Sequence, residues 1–424
     1  MAVPLHGLVA RRLAGVVEAR MVDEPVILVQ GPRAVGKSTL LRELAAAARA
    51  EVIDLDDLAV RDAVGRDPGL FVSGDGPVFI DEYQRAPVVL EAIKAELNRD
   101  SRPGRFVLTG SARHESLPTV AQALTGRLHR LPVYPLSQGE IGRVHERLLD
   151  GLFADATAVV RGGASSRTTR ADYIARVVAG GFPLALARGS AAARNRWFDD
   201  YVRLSLERDV QELSKIRQAA ALPRFLERLA GQTAQVLNVN RAATSVQLDD
   251  GTARSYLRLL DAVFLLYLLP AWGTSLSARS TKSPKLHLLD SGVAARLLRL
   301  GEDKLAARSA AALTEFGHLL ETFVVTELLK QASWADWVAG VGHWRTTPGD
   351  EEVDLVVERE DGMIVAFEVK ASGRIPGPDL NPLRKLRDAL GEQFLAGVAF
   401  YLGTRSYTYE DRVHVLPVDS IWTP

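Results

Sequence analysis

The amino-acid sequence predicts an α/β protein with a parallel-sheet amino-terminal domain, a helical middle region and a carboxy-terminal α/β domain. Up to about residue 150, short apolar runs alternate with helical patterns, which is typical of a parallel sheet with helices on both faces. Near the carboxyl end, a long helical pattern precedes "GDEEVDLVVERE" and "GMIVAFEVKASG", two apolar runs interrupted by acidic residues. The chain has 424 residues, which is more than one ordinary core encloses, so we expect several domains.

Composition limits the partners and the compartment. The chain has 52 Lys and Arg and 52 Asp and Glu, so its net charge gives no sign of a nucleic-acid partner, and such a contact needs a local basic patch. Cysteine is absent, which excludes disulfides and thiolate metal sites and fits a reducing compartment. No signal peptide is recognisable, and the most apolar run, "AVFLLYLLPAW", is shorter than the roughly 20 residues that span a bilayer. We therefore expect a soluble, cytoplasmic protein without a membrane segment.

Five apolar runs are the candidate strands of an amino-terminal domain over residues 1–150. They are "VILVQ", "EVIDLDD", "PVFIDE", "FVLTGSA" and "HRLPVYPLS". From Ala154 to Asp172 the sequence is rich in Ala, Gly, Ser and Thr, and we interpret this stretch as a mobile loop or linker. A helical pattern, "WFDDYVRLSLERDVQEL", follows, so residues 151–215 are predicted to form a linker and a helical lid.

The segment "GPRAVGKS" lies between the first candidate strand and an amphipathic helical pattern, and it fits G-x-x-x-x-G-K-[ST]. Glycines let backbone N–H groups approach phosphate oxygens, and the helix N-terminus adds its positive dipole end. Lys37 is expected to reach the β- and γ-phosphates and Ser38 to ligate Mg²⁺. The alternative is a glycine-rich turn that binds nothing. The predicted nucleotide-binding residues are Gly31, Pro32, Arg33, Ala34, Val35, Gly36, Lys37, Ser38 and Thr39.

Two further candidate strands end in polar residues. "PVFIDEYQ" ends in Asp81, expected in the Mg²⁺ shell, and Glu82, expected to orient and deprotonate the attacking water. The alternative is an acidic strand end that caps the next helix. "LTGSA" offers Thr109 or Ser111 as the group that contacts the γ-phosphate, and we count Ser111 among the nucleotide-binding residues, although it is equally expected as a helix cap.

Two arginines follow in "ALTGRLHRLPVYPLS", between a helical pattern and a strand. Arg127, or alternatively Arg130, is a candidate arginine finger that acts across a subunit interface. The alternative for either residue is a solvated or ion-paired arginine.

These motifs together resemble those of the AAA+ ATPases. "GPRAVGKST", "VFIDEYQ", "LTGSA" and the "GR…PLS" stretch carry the resemblance. More closely, the chain is similar to a widespread prokaryotic group with a carboxy-terminal domain of unknown function, which "GGFPLAL" and "YVRLSLERDV" also match. The resemblance implies ATP and Mg²⁺ as cofactors and self-association into rings, as hexamers.

Residues 216–305 resemble a winged helix-turn-helix domain. "NVNRAATSVQLDDGTARSYLRLLDAVFLLYLLPAW" predicts helix, turn, helix and strand, with Arg254 and Arg258 pointing outward. "TSLSARSTKSPKLHLLD" then predicts a hairpin with a basic tip, formed by Arg279, Lys282 and Lys285. In such domains the recognition helix enters the major groove and the wing touches the DNA backbone, so we expect these five residues to contact DNA. Winged helices also bind proteins, and the basic tip is alternatively a solvated loop.

Residues 306–424 resemble the PD-(D/E)XK nucleases. Glu321 lies in the helical pattern "GHLLETFVVTELLKQ", Asp354 lies in the first acidic strand, and Glu368 and Lys370 point the same way from the next strand because side chains alternate. Glu321, Asp354 and Glu368 are the predicted ligands of Mg²⁺ or Mn²⁺, and Lys370 the group that orients the attacking water. The open alternative is a genuine nuclease fold whose site is silent.

Three functions follow from these observations. The first is an ATP-driven, DNA-directed motor or remodeller that acts on branched or broken DNA. The second is a protein-directed switch whose carboxy-terminal domain recognises a partner without nuclease activity. The third is a nuclease with a regulatory ATPase.

Overall fold

The structure is a computed structural model, and it describes residues 5, 7–112, 124, 126–210, 220–274, 283–346 and 351–423. None of the helices in these ranges is long and apolar enough to cross a membrane.

A five-stranded, all-parallel sheet forms the centre of the amino-terminal domain. Its strands are β1 (Val26–Gln30), β2 (Val52–Asp54), β3 (Val78–Asp81), β4 (Phe106–Gly110) and β5 (Leu128–Pro132). Their order is β2-β3-β4-β1-β5, so β1 lies between β4 and β5, and β3 lies beside β4. The α/β class and the five predicted strands are confirmed; β1 covers its whole apolar run, and the other four strands are shorter than theirs.

Helices cover both faces of this sheet. They are α1 (Arg12–Arg20), α2 (Lys37–Ala47), α3 (Leu58–Arg66), α4 (Pro68–Val72), α5 (Val88–Leu97) and α6 (Gln138–Gly142). Along β1, Ile27 and Val29 pack into one apolar cluster, while Val26 and Leu28 pack into another. A parallel strand buried on both faces reads as a continuous apolar run, which is why "VILVQ" shows no polar alternation.

The predicted linker is mostly helical, and this prediction was wrong. Helix α7 (Leu148–Gly162) continues through the Ala-rich stretch, with a kink at Asp155, and helix α8 (Arg170–Ala179) begins before the expected end of the linker. Within the Ala-rich stretch Val160 is buried in the main core and Ala156 and Val159 pack partly against it, and alanine's high helix propensity also favours the helix. Only the residues between these two helices are irregular.

The middle region begins with helices and ends in a small antiparallel sheet. After α8 come α9 (Pro183–Leu186), α10 (Ala191–Leu204), a π-helical turn (Ser205–Asp209), α11 (Ala221–Ala230), β6 (Gln235–Val236), α12 (Val239–Thr244), α13 (Asp250–Ala262), β7 (Leu266–Leu269), β8 (Lys285–Leu288), α14 (Ser291–Leu297) and α15 (Glu302–Ala306). The three strands pair in the order β6-β8-β7. Helix α13 buries Ala253, Tyr256 and Leu260, as its helical spacing predicts.

The carboxy-terminal domain packs a long helix, α16 (Ala310–Trp334), against a six-stranded mixed sheet. The sheet contains β9 (Val338–Arg345), β10 (Glu352–Arg359), β11 (Ile364–Val369), β12 (Phe394–Tyr401), β13 (Tyr407–Glu410) and β14 (Val413–Pro417), with helix α17 (Asn381–Leu390) before β12. The strand order is β13-β14-β12-β11-β10-β9. Between Leu319 and Ala332 every residue of α16 except Glu321 is buried, so the helix has no solvent face over this stretch.

Hydrogen bonds connect the segment after β7 of the small middle sheet to β9 of the carboxy-terminal sheet. The backbone N–H of Trp272 donates to the carbonyl of His343 in β9 at 2.6 Å, and the N–H of His343 donates to the carbonyl of Pro270 at 2.9 Å. The indole N–H of Trp272 donates to Glu358 Oε2 at 2.9 Å. The base of the predicted hairpin is therefore held by the carboxy-terminal domain.

Candidate functional site

The loop between β1 and α2 has the backbone conformation that its glycines permit. Gly36 caps α2 with φ of 96°, and Ala34 also has a positive φ, of 62°. A Cβ atom on Gly31 would lie 2.2 Å from the carbonyl oxygen of Val133, so only glycine fits there. The first turn of α2 has no acidic residue, which leaves its N-terminus favourable for an anion.

Lys37 lies with its ammonium group inside this loop. Its side chain is buried, and Nζ donates to the carbonyls of Gly31 at 3.0 Å and Pro32 at 2.9 Å. Backbone carbonyls are weak partners for an ammonium group compared with phosphate oxygens, so the lysine is positioned to meet a charged ligand. Of the other predicted residues, Val35 is buried, while Arg33, Ala34 and Ser38 are half-buried and Thr39 is exposed.

Asp81 and Glu82, which form the acid pair, lie at the carboxyl end of β3. Each carboxylate accepts a hydrogen bond from a hydroxyl group at or just after the end of β4. Thr109 Oγ1 donates to Asp81 Oδ1 and accepts from the backbone N–H of Glu82. Ser111 Oγ donates to Glu82 Oε2 at 3.0 Å, and Gln84 Nε2 donates to the same carboxylate oxygen. Thr109 and Ser111 were alternatives in the sequence, and the structure brings both to the acid pair.

The backbone around the pair is also constrained. Glu82 has a left-handed φ of 53°, uncommon for a residue with a side chain. The ring of Tyr83 lies on Gly110, where a Cβ atom would be 2.7 Å from the ring. Burial, and next the charge of Glu82, raise the pKa of Tyr83 above its ordinary range. Gly110, the glycine of "LTGSA", therefore leaves space for the ring of Tyr83.

Arg11, which the sequence analysis missed, connects three segments beneath the nucleotide loop. Its guanidinium donates to the carbonyl of Val35 at 2.6 Å, to the carbonyl of Tyr134 at 2.8 Å and to Glu140 Oε1 at 3.0 Å. These partners lie 24 to 129 residues away, so no local pattern reveals them. The capping box that begins α6 at Ser137 was the one detectable signal, because it fixes the position of Glu140.

A second missed feature is a small cavity beside the loop. Its volume is about 80 Å³, and its lining includes Leu8, Val9, Gly36, Thr39 and Pro183. It lies between the amino-terminal segment, α2 and α9, and its walls are largely apolar. The cavity is much smaller than the roughly 300–1,000 Å³ of typical ligand pockets, so by itself it indicates no ligand.

The two finger candidates lie at an edge of the parallel sheet. Arg130 is exposed on β5, the edge strand, and Arg127 precedes that strand and donates to Asn98 Oδ1 at 2.8 Å. Arg127 is half-buried and Arg130 is exposed, and neither position distinguishes between the two candidates.

The carboxy-terminal motif residues meet as their strand spacing predicts. Leu355 pairs with Phe367, so the next antiparallel pair places Asp354 opposite Glu368. Asp354 Oδ2 accepts from the backbone N–H of Val369 at 2.9 Å, and Lys370 Nζ lies 2.6 Å from Glu368 Oε1. Burial, and next the charge of Asp354, raise the pKa of Glu368 to about 8, although Lys370 opposes the shift.

Lys285 is not at a hairpin tip, and its assignment as a DNA contact was wrong. The side chain is 2% exposed, and Nζ lies 2.5 Å from Glu321 Oε1, 2.5 Å from Glu352 Oε1 and 2.8 Å from Asp354 Oδ1. Burial alone would lower the pKa of Lys285, but these carboxylates outweigh it and raise the pKa well above the ordinary value. An ammonium group enclosed in this way has no access to DNA.

The predicted metal site is therefore not formed in this arrangement. In the part of the chain that the structure describes, no three His, Asp or Glu side chains are grouped so as to hold a metal ion. Glu321 and Asp354 do come together, but they converge on the ammonium of Lys285. The sequence analysis missed Glu352 as a member of this group, although it stands two residues before Asp354 on the same face of β10.

The remaining predicted DNA contacts divide between helix α13 and the hairpin. Arg254 and Arg258 are exposed on α13, and Arg254 forms an ion pair with Asp250 at 2.8 Å. Arg279 and Lys282 lie outside the described residues.

Comparison with protein families divides the chain into three matched stretches. Residues 23–142 match the AAA domain. Residues 170–304 match a domain of unknown function (DUF8612), and residues 316–421 match another (DUF4143). The amino-terminal domain, with its parallel sheet and phosphate-binding loop, is therefore an AAA-type domain.

The similar proteins are uncharacterized or distant. Uncharacterized proteins of Mycobacterium tuberculosis and Mycobacterium bovis are each 29% identical over 401 residues, which is 94% of this chain and 81% of theirs. A Walker-type ATPase of Pyrococcus abyssi is 15% identical, with a TM-score of 0.40 over 67% of this chain and 94% of that one. The Thermotoga maritima RuvB Holliday junction branch migration motor is 18% identical, with a TM-score of 0.26 over 61% of this chain and 85% of that one. The assignment of the amino-terminal domain thus depends on the match over residues 23–142.

Proposed function

We propose that the protein is a Mg²⁺-dependent ATP hydrolase that acts as an oligomeric, DNA-directed motor or remodeller, with branched or broken DNA as its target. One observation carries the ATP-hydrolase part of the proposal: Lys37 lies inside the loop after β1, Asp81 ends β3 and Glu82 follows it, so all three stand at the carboxyl edge of one parallel sheet. Ligands of open α/β sheets bind at this edge.

Each residue of this edge has a role in hydrolysis. Lys37 and the first turn of α2 bind the β- and γ-phosphates, and Ser38 and Asp81 are the oxygen ligands that would hold Mg²⁺, which supplies charge neutralisation when bound. Glu82 accepts a proton from the water whose oxygen attacks the γ-phosphorus, and the bond from that phosphorus to the bridging oxygen breaks. Ser111 donates to Glu82 before the reaction and is close enough to the acid pair to exchange this partner for a γ-phosphate oxygen.

Helix α13 and the small sheet support a role with DNA. The order α11, β6, α12, α13, β7, β8 supports a winged helix with α13 as its recognition helix. Arg254 and Arg258 are exposed on it. We propose that these arginines, with Arg279 and Lys282 of the hairpin, contact DNA phosphates.

A ring assembly completes the proposed ATPase. The exposed edge at β5 carries Arg130 and is preceded by Arg127. We propose that one of them, with Arg127 preferred, reaches the nucleotide of a neighbouring subunit in a hexamer. A finger of this kind contributes about 10³–10⁵ in hydrolysis rate, so its loss is measurable.

The test is an ATPase assay with single-stranded, duplex and junction DNA. We expect DNA to stimulate the wild type and Lys37→Ala to be inactive with every DNA. Arg254→Glu/Arg258→Glu should lose stimulation but keep the basal rate, and each lost phosphate contact should reduce the salt slope of DNA binding by about 0.9. Arg99→Glu, which changes an exposed arginine next to α5, is the matched control. A wild type that no DNA stimulates contradicts the DNA-directed role.

Two contacts favour a second candidate function. The base of the hairpin is hydrogen-bonded to β9, and Lys285 lies among the carboxylates of the nuclease-like motif. A protein-directed switch, in which the carboxy-terminal domain is a recognition module without nuclease activity, agrees with both contacts. An ATP hydrolysis rate that does not change with DNA but changes with a purified protein partner favours this function. DNA nicking that Asp354→Ala and Lys370→Ala abolish, and Lys37→Ala leaves intact, favours instead a nuclease with a regulatory ATPase.

A further inference from the structure

The acid cluster of the carboxy-terminal domain consists of Glu321, Glu352, Asp354 and Glu368. The first comes from α16, the next two from β10 and the last from β11. Three of these carboxylates place an oxygen within 2.5 to 2.8 Å of a single nitrogen, Lys285 Nζ. A surface ion pair joins one carboxylate to one cation, whereas here three carboxylate oxygens surround one nitrogen, and carboxylate oxygens are also the ligands that a divalent cation takes. With the lysine in place, the described residues form no group that could hold a metal ion.

Three cationic side chains face the four carboxyl groups of the cluster. Lys285 and Lys370 contact them through their ammonium groups, and the guanidinium Nε of Arg345 lies 4.0 Å from Glu352 Oε2. Glu368 is 4% exposed, and its Oε2 has no hydrogen-bond partner among the residues that the structure describes, while Oε1 accepts from Lys370. A buried carboxyl oxygen without a partner is costly, so Glu368 Oε2 is a position at which one further contact within the cluster is favourable.

Lys285 belongs to a different domain from the carboxylates that it contacts. It begins β8, which pairs with β6 and β7 of the small middle sheet. Two residues along the same strand, His287 Nδ1 lies 3.1 Å from Thr322 Oγ1, next to Glu321 on α16. Thr322 Oγ1 also lies 2.9 Å from Thr233 Oγ1, which accepts from the N–H of Leu288. The position of the Lys285 ammonium group is thus fixed by β8, and buried polar contacts connect this strand to α16.

We propose that the ammonium group of Lys285 takes the place of a divalent cation in the acid cluster. While β8 is in place, the cluster binds the middle domain and excludes a metal ion. When the ammonium group is removed, the same carboxylates form a site for Mn²⁺ or Mg²⁺. In this arrangement, a lysine of the middle domain occupies the position of a metal ion and so prevents metal binding by the nuclease-like domain. This inference depends on the nuclease-like part of the proposed function and not on ATP hydrolysis.

The alternative is that Lys285 is an ordinary buried ion-pair partner that the fold needs for stability. The two accounts differ in what a divalent cation does after the lysine is removed. In the ordinary account, loss of Lys285 destabilises the protein and metal does not compensate. In the proposed account, metal restores the lost stability because it replaces the missing charge.

The experiment uses the full chain without nucleotide, so that failure of ATP binding has no effect on it. Mn²⁺ is titrated calorimetrically into the wild type and Lys285→Met, and the melting temperature of each is measured in EDTA and in Mn²⁺. Lys330→Met is the matched control, because Lys330 is also buried, at 4% exposure, but contacts one carboxylate, that of Glu327. Lys285→Met/Asp354→Asn removes a cluster carboxylate and serves as the second control.

We expect Lys285→Met to melt below the wild type in EDTA, to be restored by Mn²⁺, and to bind Mn²⁺ at least about tenfold more tightly than the wild type. Neither control should gain a Mn²⁺ site. The proposal is overturned if Lys285→Met shows no gain from Mn²⁺, including the case in which it stays unfolded with the metal present. It is also overturned if the wild type binds Mn²⁺ and Asp354→Asn abolishes that binding, a result that does not depend on the folding of Lys285→Met.

Discussion

Replacing Arg11 by alanine tests whether the nucleotide loop depends on a residue far outside its motif. The guanidinium has a side-chain exposure of 8% and donates to Val35, Tyr134 and Glu140. The substitution removes all three hydrogen bonds, leaves the carbonyl of Val35 without this donor and deprives a buried carboxylate of its cation. Stability and nucleotide affinity should therefore both fall.

The magnitude follows from what remains around Glu140. Breaking a buried ion pair costs about 3–5 kcal/mol. Glu140 keeps two backbone donors, the N–H of Arg12 at 2.8 Å and that of Ser137 at 3.0 Å, so its carboxylate stays partly satisfied. We therefore expect a loss of about 3 kcal/mol in the free energy of unfolding, at the lower end of that range. The less ordered loop should weaken ATP binding by about tenfold, because the binding-competent conformation becomes a smaller fraction of the population.

The assay combines urea unfolding without nucleotide and equilibrium binding of a fluorescent ATP analogue. Arg42→Ala is the control, because Arg42 pairs with Asp54 at 3.8 Å with side chains 62% and 41% exposed, and such a pair contributes less than about 1 kcal/mol. If Arg11→Ala is as stable as Arg42→Ala and binds the analogue like the wild type, Arg11 does not support the loop and the reasoning is refuted.

Three further predictions concern packing, the domain interface and pH. Gly31→Ala should destabilise the protein by about 1–3 kcal/mol, because its Cβ atom meets the Val133 carbonyl at 2.2 Å, whereas Gly65→Ala, with open space around it in α3, should not; chemical denaturation distinguishes them. Glu327→Ala should cost about 3–5 kcal/mol in the same measurement, because it leaves the buried ammonium of Lys330 without its carboxylate, and added Lys330→Met should recover part of the loss. Burial, and next the charge of Lys285, hold the pKa of His287 well below its ordinary value of 6.5. The unfolded chain then binds a proton at His287 that the folded chain does not, so this group lowers stability below pH 6.5 by about 1.4 kcal/mol per pH unit. His287→Gln should reduce the slope in unfolding curves measured at several pH values by about this amount, while His318, His343 and His414, whose pKa values burial also lowers, keep their own contributions.

The elements predictable from the sequence are those with local causes. The phosphate loop is encoded within eight consecutive residues, and its strand and helix flank it directly, so both its position and its conformation follow from the chain. The acid pair follows because the carboxyl ends of parallel strands meet at one edge. Glu368 and Lys370 follow from the alternation of side chains along a strand.

The features that the sequence did not reveal depend on distant partners. Lys285 looked like part of a basic hairpin tip because its neighbours in the sequence are polar and basic, yet its three carboxylate partners lie 36 to 69 residues further along the chain. The role of Arg11 was missed for the same reason, because its carboxylate partner, Glu140, lies 129 residues away in the sequence. The Ala-rich part of α7 was interpreted as a linker because of its small residues, although alanine favours helices, and the contact of Val160 with the main core was not visible in the sequence.

The central claim is that Lys37, Asp81 and Glu82 form one ATP-hydrolysing site. The most direct measurement compares Mg·ATP binding and single-turnover hydrolysis in the wild type, Glu82→Gln and Lys37→Ala. We predict that Glu82→Gln binds Mg·ATP like the wild type but hydrolyses it at least about 100-fold more slowly, and that Lys37→Ala binds it weakly. Undiminished hydrolysis by either variant would contradict the claim.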